Sequence, residues 1–207
     1  MAEATNGLHG ISGMRQLILW TGPKHTGKTT KVLQLVETVR RKGLVVAGVV
    51  APSIHRNGRL VGFHCVDLGT GEQAPLAQLG RSHAQAGRFD FQHEGLQLGT
   101  QALSPAATSD ADLVVVDEYG PFELANGGWR KAVDRLMASR GAPILMVVRQ
   151  ELADQVAKVY PQAPCRQLPA NDPDSIMEVI VLLEGKIPGD GHANRRSTKP
   201  SPADGVR

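Results

Sequence analysis

The nine residues Gly22-Pro23-Lys24-His25-Thr26-Gly27-Lys28-Thr29-Thr30, GPKHTGKTT, follow directly on the apolar run LILWT at 17–21. They fill the pattern G-x-x-x-x-G-K-[ST], in which a glycine-rich turn leads from a strand into a helix around a phosphate group. Glycines let successive backbone N–H groups converge and approach oxygen with no Cβ in the way. A helix that begins at Gly27 or Lys28 aims its unsatisfied N–H groups and the positive end of its dipole at the same point. The Lys28 ammonium can then reach β- and γ-phosphates, and the Thr29 hydroxyl can ligate magnesium. A plain strand-to-helix turn, with glycine for geometry and threonine as a cap, leaves Lys28 without a reason. Pro23, Thr26 and Thr30 complete the phosphate-binding set with Lys24 and His25, and these last two are expected on the solvated outer side of the loop.

The flanking sequence fits the motif. Val32, Leu35, Val36 and Val39 fall at i, i+3, i+4 and i+7, so a helix over 28–42 carries one buried stripe. Arg40, Arg41 and Lys42 suit the negative end of its dipole, and Gly43 supplies the stop. LVVAGVVAP (44–52) reads as a buried strand, Asn57-Gly58 as a tight turn and RLVGFHCVDL (59–68) as a returning strand, which makes an antiparallel hairpin. Residues 90–107 suit a loosely amphipathic helix broken by Gly95 and Gly99. ADLVVVDEYG (111–120) is a buried strand, 129–139 a helix, 142–150 a further strand and 150–159 another helix. A last helix opens with Asp172 as its cap and Pro173 at its first position, with Ile176, Val179, Ile180 and Leu183 as its stripe. Apolar strands alternating with amphipathic helices predict an α/β fold: a mostly parallel sheet with helices on both faces and an appended antiparallel hairpin.

A magnesium-triphosphate site also needs an acidic anchor, and Asp117 stands at the end of the 111–120 strand, where ligands bind in open α/β sheets. Asp117 suits the metal, in the role known as Walker B. Glu118, one residue on, suits the orientation and deprotonation of an attacking water. Strands often end in acid simply because the next residue must face water, but here an independent phosphate loop stands in the same chain. Arg149 ends the next apolar strand, where it could sense the γ-phosphate or stabilise transition-state charge, or else snorkel out of the core. Arg56, Arg59 and Arg88 are weaker candidates on the hairpin and loops.

With 207 residues, 41% of them apolar, the chain can bury one sizeable core. Residues 1–13 read as a flexible N-terminus, 14–185 as the folded domain and 186–207 as a disordered basic tail. The tail holds five Lys/Arg against two Asp/Glu, which accounts for the whole net charge of +3. The folded part is therefore neutral and offers no field for nucleic acid. No apolar run approaches the roughly 18 residues of a membrane span, and the start lacks a leader pattern, so a cytoplasmic protein is expected. Cys65 and Cys165 read as two reduced, buried thiols. The seven histidines have no metal-site spacing.

Together, GPKHTGKTT, the VVVDEYGPFEL segment and the RFDF stretch between them resemble the small nucleoside-triphosphatase family whose vertebrate member is called cancer-related nucleoside-triphosphatase. The resemblance runs from about Leu17 to Glu184, and the acid pair followed by Gly120 and Glu123-Leu124 is its most specific part. It implies a RecA-like P-loop fold with an extra strand between the two motif strands. It also implies slow, base-tolerant hydrolysis of nucleoside triphosphates to diphosphates, with Gly22 to Thr29 on phosphate, Asp117 on Mg2+ and Glu118 catalytic beside Lys28. The family often has glycine at the fourth loop position, where His25 stands, so a modest change of loop shape is expected. It often has acidic residues after its second strand, where this chain has Ala51, Pro52 and Ser53.

Two other functions use the same residues. A small-molecule kinase shares the phosphate loop but needs an acceptor pocket and usually an Arg-rich lid, and 130–170 shows no such stretch. A nucleotide-dependent switch protein would hydrolyse only incidentally. Protein partners, base preference and oligomeric state have no signature in the sequence.

Overall fold

The computed structural model describes residues 15–80 and 89–185. The expectations for 1–13, for the 186–207 tail and for Arg88 lie outside the described residues. Leu17–Gly22 forms strand β1, and its side chains alternate between two cores: Leu17 and Leu19 enter one, Ile18 and Trp20 the other. The loop then opens helix α1 (Lys28–Arg41), which ends as expected near a left-handed Gly43. Strands β2 (Val46–Val50), β3 (Ser53–Arg56), β4 (Arg59–Asp67), β5 (Gln73–Leu79) and β6 (Phe89–Phe91) lead to helix α2 (His93–Ala102). After it come β7 (Leu113–Asp117), the single turn α3 (Pro121–Leu124), α4 (Arg130–Met137) and β8 (Ile144–Arg149). A short 3-10 turn (Gln150–Leu152) precedes α5 (Ala153–Val159), and the described chain closes with β9 (Cys165–Pro169) and α6 (Asp174–Glu184).

The strand order is β6-β5-β4-β2-β7-β8-β1-β9, with β3 paired to β4. The pairs β2–β7, β7–β8, β8–β1 and β1–β9 are parallel, whereas β2–β4, β3–β4, β4–β5 and β5–β6 are antiparallel. β8 thus lies between β1 and β7, the two motif strands, which is the inserted strand that the resemblance implied. On one face Val32, Leu35, Val36 and Val39 of α1 and Val179, Ile180 and Leu183 of α6 pack with Val115 and Val147. On the other, Trp129, Ala132, Val133 and Leu136 around α4 and Ala153 and Val156 of α5 pack with Val114, Val116 and Met146. The apolar runs of β7 and β8 serve both layers at once. Among the described residues, no helix is long and apolar enough to cross a membrane.

Three expectations change. The helix expected over 90–107 is shorter, because Phe89–Phe91 pairs with β5 as a strand before it and α2 ends at Ala102. Gly95 and Gly99 do not break that helix. A Cβ at Gly95 would stand 2.4 Å from the Pro75 carbonyl oxygen, and one at Gly99 would stand 2.3 Å from Trp129 Nε1. Both glycines let α2 lie directly on β5 and on the indole. Finally, Cys65 is buried but Cys165 is exposed on the edge strand β9.

Candidate active site

Backbone conformation forms the loop. Gly27 holds φ 75°, ψ 27°, a left-handed conformation that a Cβ disfavours, and from there α1 begins. A Cβ at Gly22 would stand 3.3 Å from both Lys28 Cδ and Thr26 Oγ1, so the first glycine leaves room for the lysine stem. Lys28 is buried, and its Nζ donates to the Pro23 carbonyl at 2.9 Å, as the Thr26 hydroxyl does at 2.8 Å. His25 is left-handed as well, with φ 63°. It therefore adopts a conformation that glycine would favour, at a strain of roughly 1–2 kcal/mol.

The second motif meets the first. Asp117 is 1% exposed, and its Oδ2 accepts the Ala51 N–H at 3.3 Å. The end of β2, where the acidic residues of the resemblance are missing, thus contributes a backbone donor instead. The Thr29 hydroxyl and the Lys28 ammonium both lie close enough to the same carboxylate to stabilise its charge. Glu118 follows through a cis peptide bond, and its Oε1 accepts Arg149 Nε at 2.9 Å. Arg149 thus pairs with the second carboxylate of the acid pair, both side chains being partly exposed.

Burial pushes the Asp117 carboxyl up from 3.8 to about 6, and the Glu118 charge adds to this, while the nearby Thr29 hydroxyl, the Ala51 N–H and the Lys28 charge oppose it. Because the folded value exceeds the unfolded one, ionising Asp117 disfavours the fold. That penalty is absent below pH about 4, grows between about 4 and 6, and is complete above. Asp117→Asn should therefore stabilise the metal-free protein at pH 7 by about 3 kcal/mol, and by almost nothing at pH 3.5. Denaturant titrations of both proteins across that range would check this. A difference that does not vary with pH would contradict it.

A second tier of side chains fixes the acid pair. Tyr119 is buried, with its hydroxyl 3.1 Å from that of Tyr160, which in turn donates to Asp134 Oδ1 at 2.8 Å. Arg130 Nε donates to both Asp134 oxygens at 2.8 and 3.0 Å. Glu123, also buried, accepts the Gly120 N–H at 3.0 Å and staples the turn after Glu118, and burial raises its carboxyl. Sequence reading assigned no role to Tyr119 or Glu123. The Gly-Pro-x-Glu spacing of a capping box was the available signal for Glu123.

Thr29, Asp117, Glu118 and Arg149 line one cavity of about 450 Å³. Lys24 and His25 are exposed, as expected, but they also form part of its wall. Pro23, Thr26 and Thr30 are exposed on the loop and the first turn of α1, and Arg56 and Arg59 are exposed on the β3–β4 hairpin. An anion-binding loop, a buried oxygen pair and a carboxylate held by arginine can together bind a polyphosphate with its cation and take a proton beside it.

Comparison with known proteins gives a consistent result. A sequence model of the family described as NTPase matches residues 17–178. Nucleoside-triphosphatase THEP1 of Thermococcus kodakarensis is 34% identical over 142 residues, which span 67% of this chain and 78% of that protein. THEP1 of Archaeoglobus fulgidus is 32% identical over 142 residues, or 68% of this chain and 83% of that one. The solution structure of a human cancer-related nucleoside triphosphatase superposes with a TM-score of 0.65 at 21% identity, covering 84% of this chain and all (100%) of that one. THEP1 from Aquifex aeolicus gives 0.62 at 19% identity, covering 82% and 99%. At these identities the two structures show a shared fold.

Proposed function

The chain belongs to the NTPase family, and on that premise we propose that it is a magnesium-dependent nucleoside triphosphatase, converting ATP, GTP and other nucleoside triphosphates to diphosphate and phosphate with broad base tolerance. The observation that carries this reading is that Thr29, in the first turn of the helix after the phosphate loop, lines the same cavity as the acid pair Asp117 and Glu118. The loop from Gly22 to Thr30 receives the phosphates, through backbone N–H groups at every position but Pro23, and Lys28 turns its ammonium from the Pro23 carbonyl to the β- and γ-phosphates. Glu118 takes the proton of the attacking water, and Arg149 fixes the direction in which that carboxylate points.

Thr29 and Asp117 are the residues that would hold Mg2+. One hydroxyl and one carboxylate suit an ion that keeps several waters and draws its other ligands from phosphate. Asp117 also fits because its buried charge is poorly compensated, as its raised pKa records. When bound, the ion would supply neutralisation of the charge on the β- and γ-phosphates.

Phosphate release from ATP, GTP, CTP and UTP, with Mg2+ added and then chelated, tests the proposal. All four should turn over within about tenfold of one another, and chelation should abolish release from each. Full activity after chelation, or a preference near 10,000-fold for one base, would contradict it, since the latter requires a base read by hydrogen bonds.

A further inference from the structure

All four phenylalanines of the chain, Phe63, Phe89, Phe91 and Phe122, line the cavity that holds Thr29, Asp117 and Glu118. They lie far apart in sequence, on β4, β6 and α3, and Trp129 joins them. Phe63 and Phe89 meet edge to face with centroids 5.1 Å apart, and Phe91 and Phe122 stack at 4.4 Å. The second pair remains open, with Phe91 46% and Phe122 38% exposed. One end of the cavity is thus polar, with Lys24, His25, Asp117, Glu118 and Arg149, and the other is aromatic, with Glu123 in its wall next to Phe122. Protein interiors close over apolar side chains wherever they can, and a concave apolar site with convergent polar groups at one end has the build of a small-molecule pocket. Its volume is in the range of such sites.

Its place relative to the phosphates decides what it could hold. Across the sheet the order runs from β1 with the phosphate loop, through β8 with Arg149 and β7 with the acid pair, to β2 and then to β4, β5 and β6 with the rings. In-line attack on a γ-phosphate comes from the side opposite the leaving diphosphate. Glu118 therefore stands on the side away from the nucleoside, and the aromatic end lies beyond Glu118 again. A nucleotide seated on the loop in this orientation would point its base the other way.

We propose that the aromatic end is a second-ligand pocket for a flat, uncharged, ring-bearing small molecule, and that its occupancy displaces the water that Glu118 activates. The pocket itself stands on geometry; its effect on turnover rests on the hydrolytic reading of Glu118. Rings that stack on two or more phenylalanines gain affinity without base-like hydrogen bonding.

The test uses 2-naphthol as the probe on the full chain, with binding followed by ligand-observed saturation-transfer NMR. Saturable binding is expected in the wild type and unchanged in Lys28→Ala. Phe91→Ala combined with Phe122→Ala should weaken it at least about tenfold, the scale of one lost stacking partner. Phe91→Leu with Phe122→Leu, which keeps apolar bulk at the rim, should weaken it as well and guards against a folding defect. In the phosphate-release assay, 2-naphthol should lower kcat for ATP with little change in KM. No saturable binding would overturn the pocket. Inhibition that only raises KM for ATP, with adenosine displacing the probe, would overturn it too, because the rings would then be the seat of the nucleotide's own base. If the wild type releases no phosphate, the NMR measurements still decide the pocket while the hydrolytic reading fails separately.

Discussion

Replacing Glu118 by glutamine is expected to leave nucleotide binding close to wild type and to slow turnover roughly 100- to 10,000-fold, the range that a positioned general base contributes. Glutamine has the same shape, and its amide oxygen can still accept the bond that Arg149 Nε now gives to Glu118 Oε1. The loop, Lys28, Thr29 and Asp117 are untouched, so every group that would hold the phosphates remains. What disappears is the ability to take a proton. Equilibrium binding of a nucleotide and single-turnover phosphate release, measured on the same preparation, separate the two effects. A parallel fall in both would mean that Glu118 supports the site's shape rather than its chemistry.

Lys28→Ala is expected to act in the opposite way, weakening triphosphate binding about a hundredfold or more, since a charge-assisted hydrogen bond is worth about 1.5–3 kcal/mol and a buried ammonium can make more than one to a triphosphate. The fold should tolerate the change. Among the described residues, the Lys28 side chain hydrogen-bonds only to the carbonyl of Pro23, an exposed loop residue, and alanine continues the helix that Gly27 has opened. Lys28→Arg should not rescue binding, because the stem lies close to Gly22 and a planar guanidinium does not replace a compact ammonium there. Unaltered affinity in Lys28→Ala would place the phosphates elsewhere.

The parts of the site that could be read in advance are those whose geometry is local. Gly22, Gly27, Lys28 and Thr29 fall in one short segment, and the stripe from Val32 to Val39 follows from helical periodicity alone. Asp117 and Glu118 stood out because an apolar run ends in acid, though only the three-dimensional fold brings Thr29 to Asp117. The glycines of α2 were misread because a glycine inside a helix is unfavourable in isolation, and nothing near Gly95 or Gly99 in sequence reveals that the Pro75 backbone and the Trp129 indole lie against them. β9 escaped notice because an edge strand with Leu168 as its one buried residue carries almost no apolar pattern. β5 contains Pro75, which argues against a strand, yet Pro75 sits where the register with β4 shifts and the ladder tolerates it. The aromatic end of the cavity was illegible for a similar reason. Its four phenylalanines come from distant segments, and their gathering depends on the antiparallel extension.

The claim that the phosphate loop and the acid pair form one hydrolytic site is tested most directly by measuring nucleotide affinity and phosphate release side by side, in magnesium, for the wild type, Lys28→Ala and Glu118→Gln. The predicted result is a dissociation of the two properties: Lys28→Ala fails to bind, whereas Glu118→Gln binds and fails to hydrolyse. Wild-type affinity and equal phosphate release in both variants would contradict it.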